Sequence, residues 1–340
     1  MILLDYSKEE LKNILSGGFR AGQVFDWLIK GFSFDEMSNV SKEYRNELKE
    51  KYIDQPVKIH KTYISKIDGT EKYLFKLYDG NIIEGVLMKY NYGNTLCVST
   101  QIGCRMGCKF CASTLNGLVR DLTPGEILGQ IIAVNHKLGE GRNITNVVLM
   151  GSGEPLDNFD NVVKFINLLT HKDGLNFSRR NISLSTCGLI DKIKEMADLD
   201  LGVTLTISLH SPFDENRKEI MPIANKYSIR EIMSAANYYF KKTGRRVIFE
   251  YALIDGVNNS DKDIDELTKL LKGFPTHLNL IVLNEVKERN LKGINRKLAN
   301  EFAKKLEDKG VSVTLRRTMG SDIEGACGQL RNSYIKGDNE

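Results

Sequence analysis

Three of the chain's six cysteines fall within eight residues, in Gly103-Cys104-Arg105-Met106-Gly107-Cys108-Lys109-Phe110-Cys111, a C-x3-C-x2-C spacing. Three thiolates on one short loop can hold three irons of a 4Fe–4S cube and leave the fourth iron open. An open iron binds a reacting molecule, whereas a closed centre stores electrons or holds a fold together. Structural zinc is the alternative, but it takes four closed ligands, commonly as two C-x2-C pairs, and the chain has no second pair. The nearest downstream histidine, His136, falls inside a predicted helix. Cys97, Cys187 and Cys327 are scattered, and in a chain read as cytosolic a cysteine cluster suggests metal or redox chemistry before structural disulfides.

The elements that must position this loop are readable in outline. The 340 residues make about two domains' worth of chain, and 41% hydrophobic with 27% charged residues exclude disorder, collagen and coiled coil for most of it. The longest apolar runs, such as Val147–Met150 and Leu280–Leu283, are strand-sized, far short of a membrane span. The start Met1-Ile2-Leu3-Leu4-Asp5 has no secretory pattern, so the expected setting is the cytoplasm. Ser7-Lys8-Glu9-Glu10 reads as a capping box opening a first helix. A second is expected over Arg20–Lys30, ended by Gly31, and a third over Ser41–Tyr52. Between Val57 and Met88 the period becomes two, and Asp68-Gly69 and Asp79-Gly80 mark hairpins in a small meander ending in Ile82–Met88.

From Thr95 strand and helix alternate. Strands are expected near Thr95–Thr100, Asn146–Met150, Asn181–Ser185, Thr204–Ser208, Arg246–Tyr251 and His277–Val282, with a late one at Val311–Leu315. The clearest helix begins at Thr123-Pro124-Gly125-Glu126, with a cap, an N1 proline and a closing glutamate. Six or more βα units without internal repeats predict an α/β fold, a parallel sheet with helices outside it, open or curled into a partial barrel. Active sites in such folds lie at the carboxyl ends of the strands. The segments just past these strands, Gly103–Cys111, Gly151–Pro155, Thr186–Gly188, Leu209–Pro212 and Leu283–Asn284, hold nearly all the unusual polar and cysteine chemistry.

The cysteine loop, with Phe110 before its third cysteine, resembles that of the radical S-adenosylmethionine (SAM) enzymes, and Gly153-Glu154-Pro155 resembles their loop that hydrogen-bonds the SAM amino group. Ala326-Cys327-Gly328-Gln329-Leu330, with Leu96-Cys97-Val98-Ser99-Thr100, resembles the RlmN/Cfr family of RNA adenine methyltransferases. Matching features run along most of the chain: Phe19–Gln23, Ile83-Glu84, Gly151–Leu156, Leu184–Gly188, Ser208–Pro212, Leu283-Asn284 and Arg316–Leu330. Ser152 is a departure, standing where the family often has methionine. The resemblance implies a partial (β/α)6, TIM-like radical SAM barrel. It also implies an N-terminal helical accessory, RNA-binding domain at 1–55, a β-meander linker at 56–90, the methyltransferase domain with its catalytic-cysteine loop at 91–330, and a tail at 331–340.

The chemistry that comes with this resemblance is covalent. Cys104, Cys108 and Cys111 would hold one 4Fe–4S cluster, whose open iron chelates SAM. Gly153, Glu154, Ser185, Ser208, Leu209, His210 and Asn284 would bind the SAM. Carbon 2 of adenine is electron-poor and cannot attack a sulfonium methyl group directly. Cys327 therefore takes a methyl group from one SAM, and reductive cleavage of a second gives a 5′-deoxyadenosyl radical that removes a hydrogen from the S-methyl group. The carbon radical adds to adenine. Proton loss to Glu84 then lets Cys97 attack Cys327, forming a disulfide that must be reduced before another turnover. Outside the resemblance, Cys97 on a strand is an ordinary buried hydrophobe and Glu84 a surface carboxylate. Gly325 and Gly328 suit Cys327 to movement, and Cys187 is expected to be structural.

The implied substrates are 23S ribosomal RNA at the peptidyl-transferase centre and the adenine 3′ of the anticodon in some tRNAs. The target base must be extruded from folded RNA to reach Cys327. Charge adds little: 48 Lys+Arg against 44 Asp+Glu gives +4. Residues 286–310 carry eight basic against four acidic residues, and residues 1–60 carry nine against ten. The implied electron donor is a flavodoxin-type protein, no membrane partner is expected, and nothing demands more than a monomer. Carbon 8 methylation of the same rRNA adenine, the antibiotic-resistance branch, is the alternative; Pro155 favours carbon 2, since that branch carries alanine there. A non-catalytic metal-binding RNA module is a remoter reading, which leaves Cys97, Cys327 and the SAM-like loops unexplained.

Overall fold

The computed structural model describes residues 1–15, 17–139 and 144–330; the tail at 331–340 lies outside the described residues. Helices α1 (Lys8–Ile14), α2 (Gly18–Leu28) and α3 (Lys42–Lys51) form the N-terminal unit. The capping box at α1 is complete: Ser7 N donates to Glu10 Oε2 (2.7 Å) and Glu10 N to Ser7 Oγ (3.2 Å). Leu11, Val24, Leu28 and Leu48 are buried in the same apolar core as the barrel.

Strands β1 (Val57–Ile64), β2 (Glu71–Leu77) and β3 (Ile82–Tyr90) make the expected antiparallel meander. The meander is continuous with the barrel sheet, because β3 pairs antiparallel with β4 (Gly93–Cys97) in the register Val86↔Cys97. Strands β5 (Gln101–Gly103) and β6 (Leu118–Asp121) form a separate two-stranded ribbon on either side of the cysteine loop. After α4 (Pro124–Leu138) come β7 (Ile144–Leu149), α5 (Phe159–Thr170), β8 (Ile182–Thr186), α6 (Ile190–Asp198), β9 (Thr204–Ser208), α7 (Asp214–Ile220) and α8 (Ile229–Thr243). Then follow β10 (Val247–Leu253), α9 (Asp261–Leu270), β11 (Thr276–Val282), α10 (Arg296–Asp308) and β12 (Val313–Leu315). The ten-stranded order is β1-β2-β3-β4-β7-β8-β9-β10-β11-β12, with β4 and β7 to β12 all parallel. This is the expected partial barrel of six βα units and a late strand. Among the described residues no helix is long and apolar enough to cross a membrane.

The strand expected over Thr95–Thr100 ends at Cys97. Its cause is Gln130, fully buried on α4, whose Oε1 accepts from Ser99 N (2.9 Å) while its Nε2 donates to Ser99 O (2.9 Å). Ser99 thus exchanges strand pairing for a side-chain amide, and the chain turns out of the sheet into β5. Among the described residues the sheet does not close by strand pairing. Residues 316–330 form a strap running from β12 to the β1–β2 turn, where Gly320 N donates to Asp68 Oδ2 (2.9 Å) and Ser65 Oγ to Asp322 Oδ1 (2.7 Å).

Arg120 on β6 ties three of these parts together. Its guanidinium donates to both Glu126 oxygens (2.8 Å each), at the start of α4, and to Asp79 Oδ2 in the β2–β3 turn (2.6 and 2.9 Å). Glu126 is fully buried. Arg120→Ala leaves that carboxylate only the Thr123 N–H (2.9 Å) and is expected to lower stability by about 3 kcal/mol, read as a shift of the urea midpoint with unchanged slope.

Candidate active site

The cysteine loop leaves β5 at Gly103, whose φ is +76° and whose missing Cβ would lie 1.9 Å from Gly117 O, so only glycine fits. Cys104 N donates to Gly117 O (3.0 Å) and Cys111 N to Cys108 O (3.2 Å). Thr114 Oγ1 donates to the main-chain oxygens of Cys108 (3.1 Å) and Cys111 (3.0 Å). The three cysteines line one cleft of about 940 Å³, counted to its open mouth, at the carboxyl ends of the strands. Burial pushes the Cys104 thiol up to about 12. It also raises Cys108, where the negative charges of Cys111, Cys104 and Glu154 add to the effect. Among the described residues no three His, Cys, Asp or Glu side chains are arranged to hold a single metal ion.

A buried cation lies behind one of these thiols. Arg217 on α7 is fully buried and donates to the main-chain oxygens of Leu209 (3.1 Å), Cys187 (2.8 Å) and Ser208 (3.1 Å). Its Nη1 has no hydrogen-bond partner, and its charge is felt by the Cys108 thiol. Three thiols on one cleft, two buried and one half-buried, with a buried guanidinium acting on Cys108, fit a thiolate-bound iron–sulfur cluster.

The other expected cofactor-binding residues converge on the same cleft, with one exception. Gly153, Glu154, Ser185, Ser208, His210 and Asn284 all line it. Leu209 does not; its side chain is fully buried in the main core and its carbonyl is taken by Arg217. Gly153 has φ +111°, and a Cβ there would sit 2.7 Å from the Gln101 side chain. Glu154 accepts from Cys187 N (2.7 Å) and Leu156 N (3.0 Å). Burial pushes its carboxyl upward against these bonds. At Ser152 the loop is held by its main chain, with Thr100 N (2.9 Å) and Gln101 N (3.1 Å) donating to Ser152 O, while its Oγ is buried without a partner.

His210 follows β9 with φ +55°, a strained conformation for a non-glycine residue. Ala252 N donates to its Nδ1 (2.9 Å), which places the ring proton on Nε2. Asn258 Nδ2 donates to His210 O (2.7 Å), and Phe110 of the cysteine loop meets the imidazole edge to face at 4.6 Å.

Cys327 stands exposed on the strap, with Asn284 Nδ2 donating to its main-chain oxygen (3.1 Å). It borders both the cleft and a second cavity of about 580 Å³, which Cys97 also lines. Cys97 is buried on β4, and burial pushes its thiol up to about 12. Arg316 and Asn284 border both spaces. All six cysteines are free, so the disulfide implied for Cys97 and Cys327 is not formed here. One thiol is fixed inside a paired strand and the other stands out on the strap, and they are not within bonding distance. Glu84 lies on β3, 2% exposed, and borders neither space. Cys187 is buried, and its backbone serves Glu154 and Arg217.

Residues 98–271 match the Radical SAM superfamily, and residues 2–53 match the ribosomal RNA large subunit methyltransferase N-terminal domain. The "Probable dual-specificity RNA methyltransferase RlmN" of Clostridium novyi (strain NT) is 52% identical over 340 residues, covering 98% of both chains. The protein of that name from Clostridium perfringens (strain SM101 / Type A) is 56% identical, covering 98% of this chain and 97% of the relative. The chain belongs to the RlmN family of radical SAM RNA methyltransferases. A crystal structure of a radical SAM methyltransferase from Sphaerobacter thermophilus superimposes with a TM-score of 0.94 at 38% identity, over 98% of this chain and 99% of that one. As a radical SAM enzyme of the RlmN family, the protein uses a 4Fe–4S cluster and SAM.

Two charged residues of this RlmN-family site were not legible beforehand. Arg217 sits in Asp214-Glu215-Asn216-Arg217-Lys218-Glu219, which reads as a solvated helix face. Arg316 follows a short strand and reaches Glu250 at 3.4 Å. It begins the matching Arg316–Leu330 segment, but no role was assigned to it there.

Burial pushes His210 down from 6.5 to about 3. The unfolded chain therefore binds a proton that the folded chain refuses, so stability is full above 6.5 and falls as pH drops, by about 1.4 kcal/mol per unit. Urea titrations between pH 4 and 6.5 should show this slope reduced by one proton in His210→Asn. An equal slope in both proteins would mean that His210 titrates normally.

Proposed function

We propose that this enzyme methylates carbon 2 of adenine in 23S ribosomal RNA at the peptidyl-transferase centre, and of the adenine 3′ of the anticodon in some tRNAs. The observation that carries this reading is the shared cavity of Cys97 and Cys327. A methyltransferase acting by direct displacement has no use for two free thiols, one exposed and one buried, beside a cofactor cleft. The dual-specificity name of relatives at more than 50% identity supports the two RNA classes.

Cys104, Cys108 and Cys111 would hold the cluster, which when bound supplies the electron that cleaves SAM and so makes hydrogen abstraction available. Gly153, Glu154, Ser185, Ser208, His210 and Asn284 would orient SAM, with neutral His210 offering its Nε2–H. Cys327, as thiolate, forms a carbon–sulfur bond to a SAM methyl group and releases S-adenosylhomocysteine. Once that carbon is joined to adenine and the adduct has passed its unpaired electron to the oxidised electron-transfer partner, Glu84 accepts the proton from carbon 2. Cys97 then attacks the Cys327 sulfur; the sulfur–carbon bond breaks, the disulfide forms, and the carbon leaves as the new methyl group after protonation. Arg316, bordering both spaces, opposes the effect of burial on the Cys97 thiol. A flavodoxin-type donor, a monomeric state and a cytoplasmic setting complete the proposal.

The test is an anaerobic reaction of the reconstituted enzyme with SAM, a reductant, and a 23S rRNA fragment or tRNA, read by nucleoside mass spectrometry. A 2-methyladenosine peak is expected; 8-methyladenosine alone would transfer the enzyme to the resistance branch. Cys327→Ala is expected to abolish methylation. Cys97→Ala should accumulate protein covalently joined to RNA on denaturing gels, and normal turnover without adduct would remove Cys97 from the scheme.

A further inference from the structure

Lys72 lies on β2 with its side chain only 7% exposed, and its ammonium stands 3.0 Å from Oε1 of Glu84, whose side chain is 3% exposed. The same Nζ donates to the main-chain oxygen of Glu324 (3.3 Å), three residues before Cys327 on the strap. The Tyr63 ring flanks it at 6.0 Å. One buried cation therefore touches both a buried carboxylate and the segment that carries the exposed thiol.

Stability does not account for this arrangement. A buried ion pair gains little over an apolar pair of the same shape, because desolvating two charges offsets their attraction. The register shows what it aligns. Lys72 stands opposite Val86, Leu74 opposite Glu84, and Val86 opposite Cys97. Alternate residues of a strand share a face, so Glu84 shares one with Val86, Met88 and Tyr90, which line the cavity of the two cysteines. The ammonium is the point at which the base and the strap meet, one strand away from the buried thiol.

We propose that Lys72 is a positioning residue for proton removal from the RNA-bound intermediate, holding the Glu84 carboxylate and the Cys327 segment in one frame. This rests on the methylation reading above and adds a residue to it. The proton passes from carbon 2 of the attached adenine to the Glu84 carboxylate, and Lys72 remains an ammonium throughout. Methyl transfer to Cys327 precedes that step and does not need the pair.

The experiment uses the full-length reconstituted enzyme, with SAM and the 23S rRNA fragment, in three readouts: Cys327 S-methylation by intact-protein mass spectrometry, RNA–protein adduct on denaturing gels, and methyladenosine. Lys72→Met is expected to keep S-methylation within about twofold of wild type. It should lose methyladenosine by about 100-fold, the usual worth of a positioned base, with adduct accumulating. Lys72→Arg should restore most of the product. Methyladenosine at the wild-type rate in Lys72→Met, or a parallel loss of S-methylation, overturns the proposal. If Lys72→Met does not fold, Lys72→Met/Glu84→Gln removes both buried charges and is compared with Glu84→Gln alone. Equal product in those two supports action through Glu84, and a further large loss overturns it. Failure of the wild-type chain to make methyladenosine overturns the RNA reading and this inference with it. Wild-type turnover with an unimpaired Lys72→Met overturns the inference alone.

Discussion

The pairing of Gln130 with Ser99 is the contact on which the site is built. A side-chain amide buried in a helix takes both main-chain groups of a residue that would otherwise continue a central strand. Buried main-chain groups must find partners, and here a single side chain supplies both. The strand stops at Cys97, and the chain emerges over the barrel mouth with Cys104 seven residues on. A thiol inside the sheet and a thiol cluster above it thus come from one short run of sequence, separated by a turn the helix enforces.

Around that turn, charge is buried but answered. Glu154 has two main-chain N–H donors, Arg217 three main-chain acceptors, Glu84 the Lys72 ammonium, and Glu250 the Arg316 guanidinium. Such groups add little net stability, but each has a narrow range of positions in which it is satisfied. The cleft walls are therefore held by directional bonds and not by apolar contact alone. His210, strained in φ and neutral, belongs to the same scheme: Ala252 N and Asn258 hold it where hydration would not.

Much of this was legible in the sequence. The capping boxes at Ser7 and Thr123 and the alternation of strand and helix depend on local chemistry and were read close to their positions. The cysteine spacing and the polar residues past the strands located the cleft, because parallel sheets put their loops there. What was not legible depends on distant partners. Gln130 looks like any polar helix residue until Ser99 is seen beside it. The β5–β6 ribbon is too short for periodicity to register. Leu209 was grouped with its neighbours, although alternation along the chain turns its side chain into the core. Lys72 carries no signal of its own in the sequence, and its burial comes from Glu84 on β3 and Glu324 on the strap.

The strap has a consequence for the order in which the molecule assembles. Its anchor between Ser65 and Asp322 joins residues 257 positions apart. Loop-closure entropy makes such contacts the slowest to be rewarded, whereas the βα units beneath close over short separations. The sheet and the buried thiol can thus exist before the exposed thiol is delivered to them. Folding ends where turnover begins, with the strap laid down to complete the cavity that Cys327 shares with Cys97.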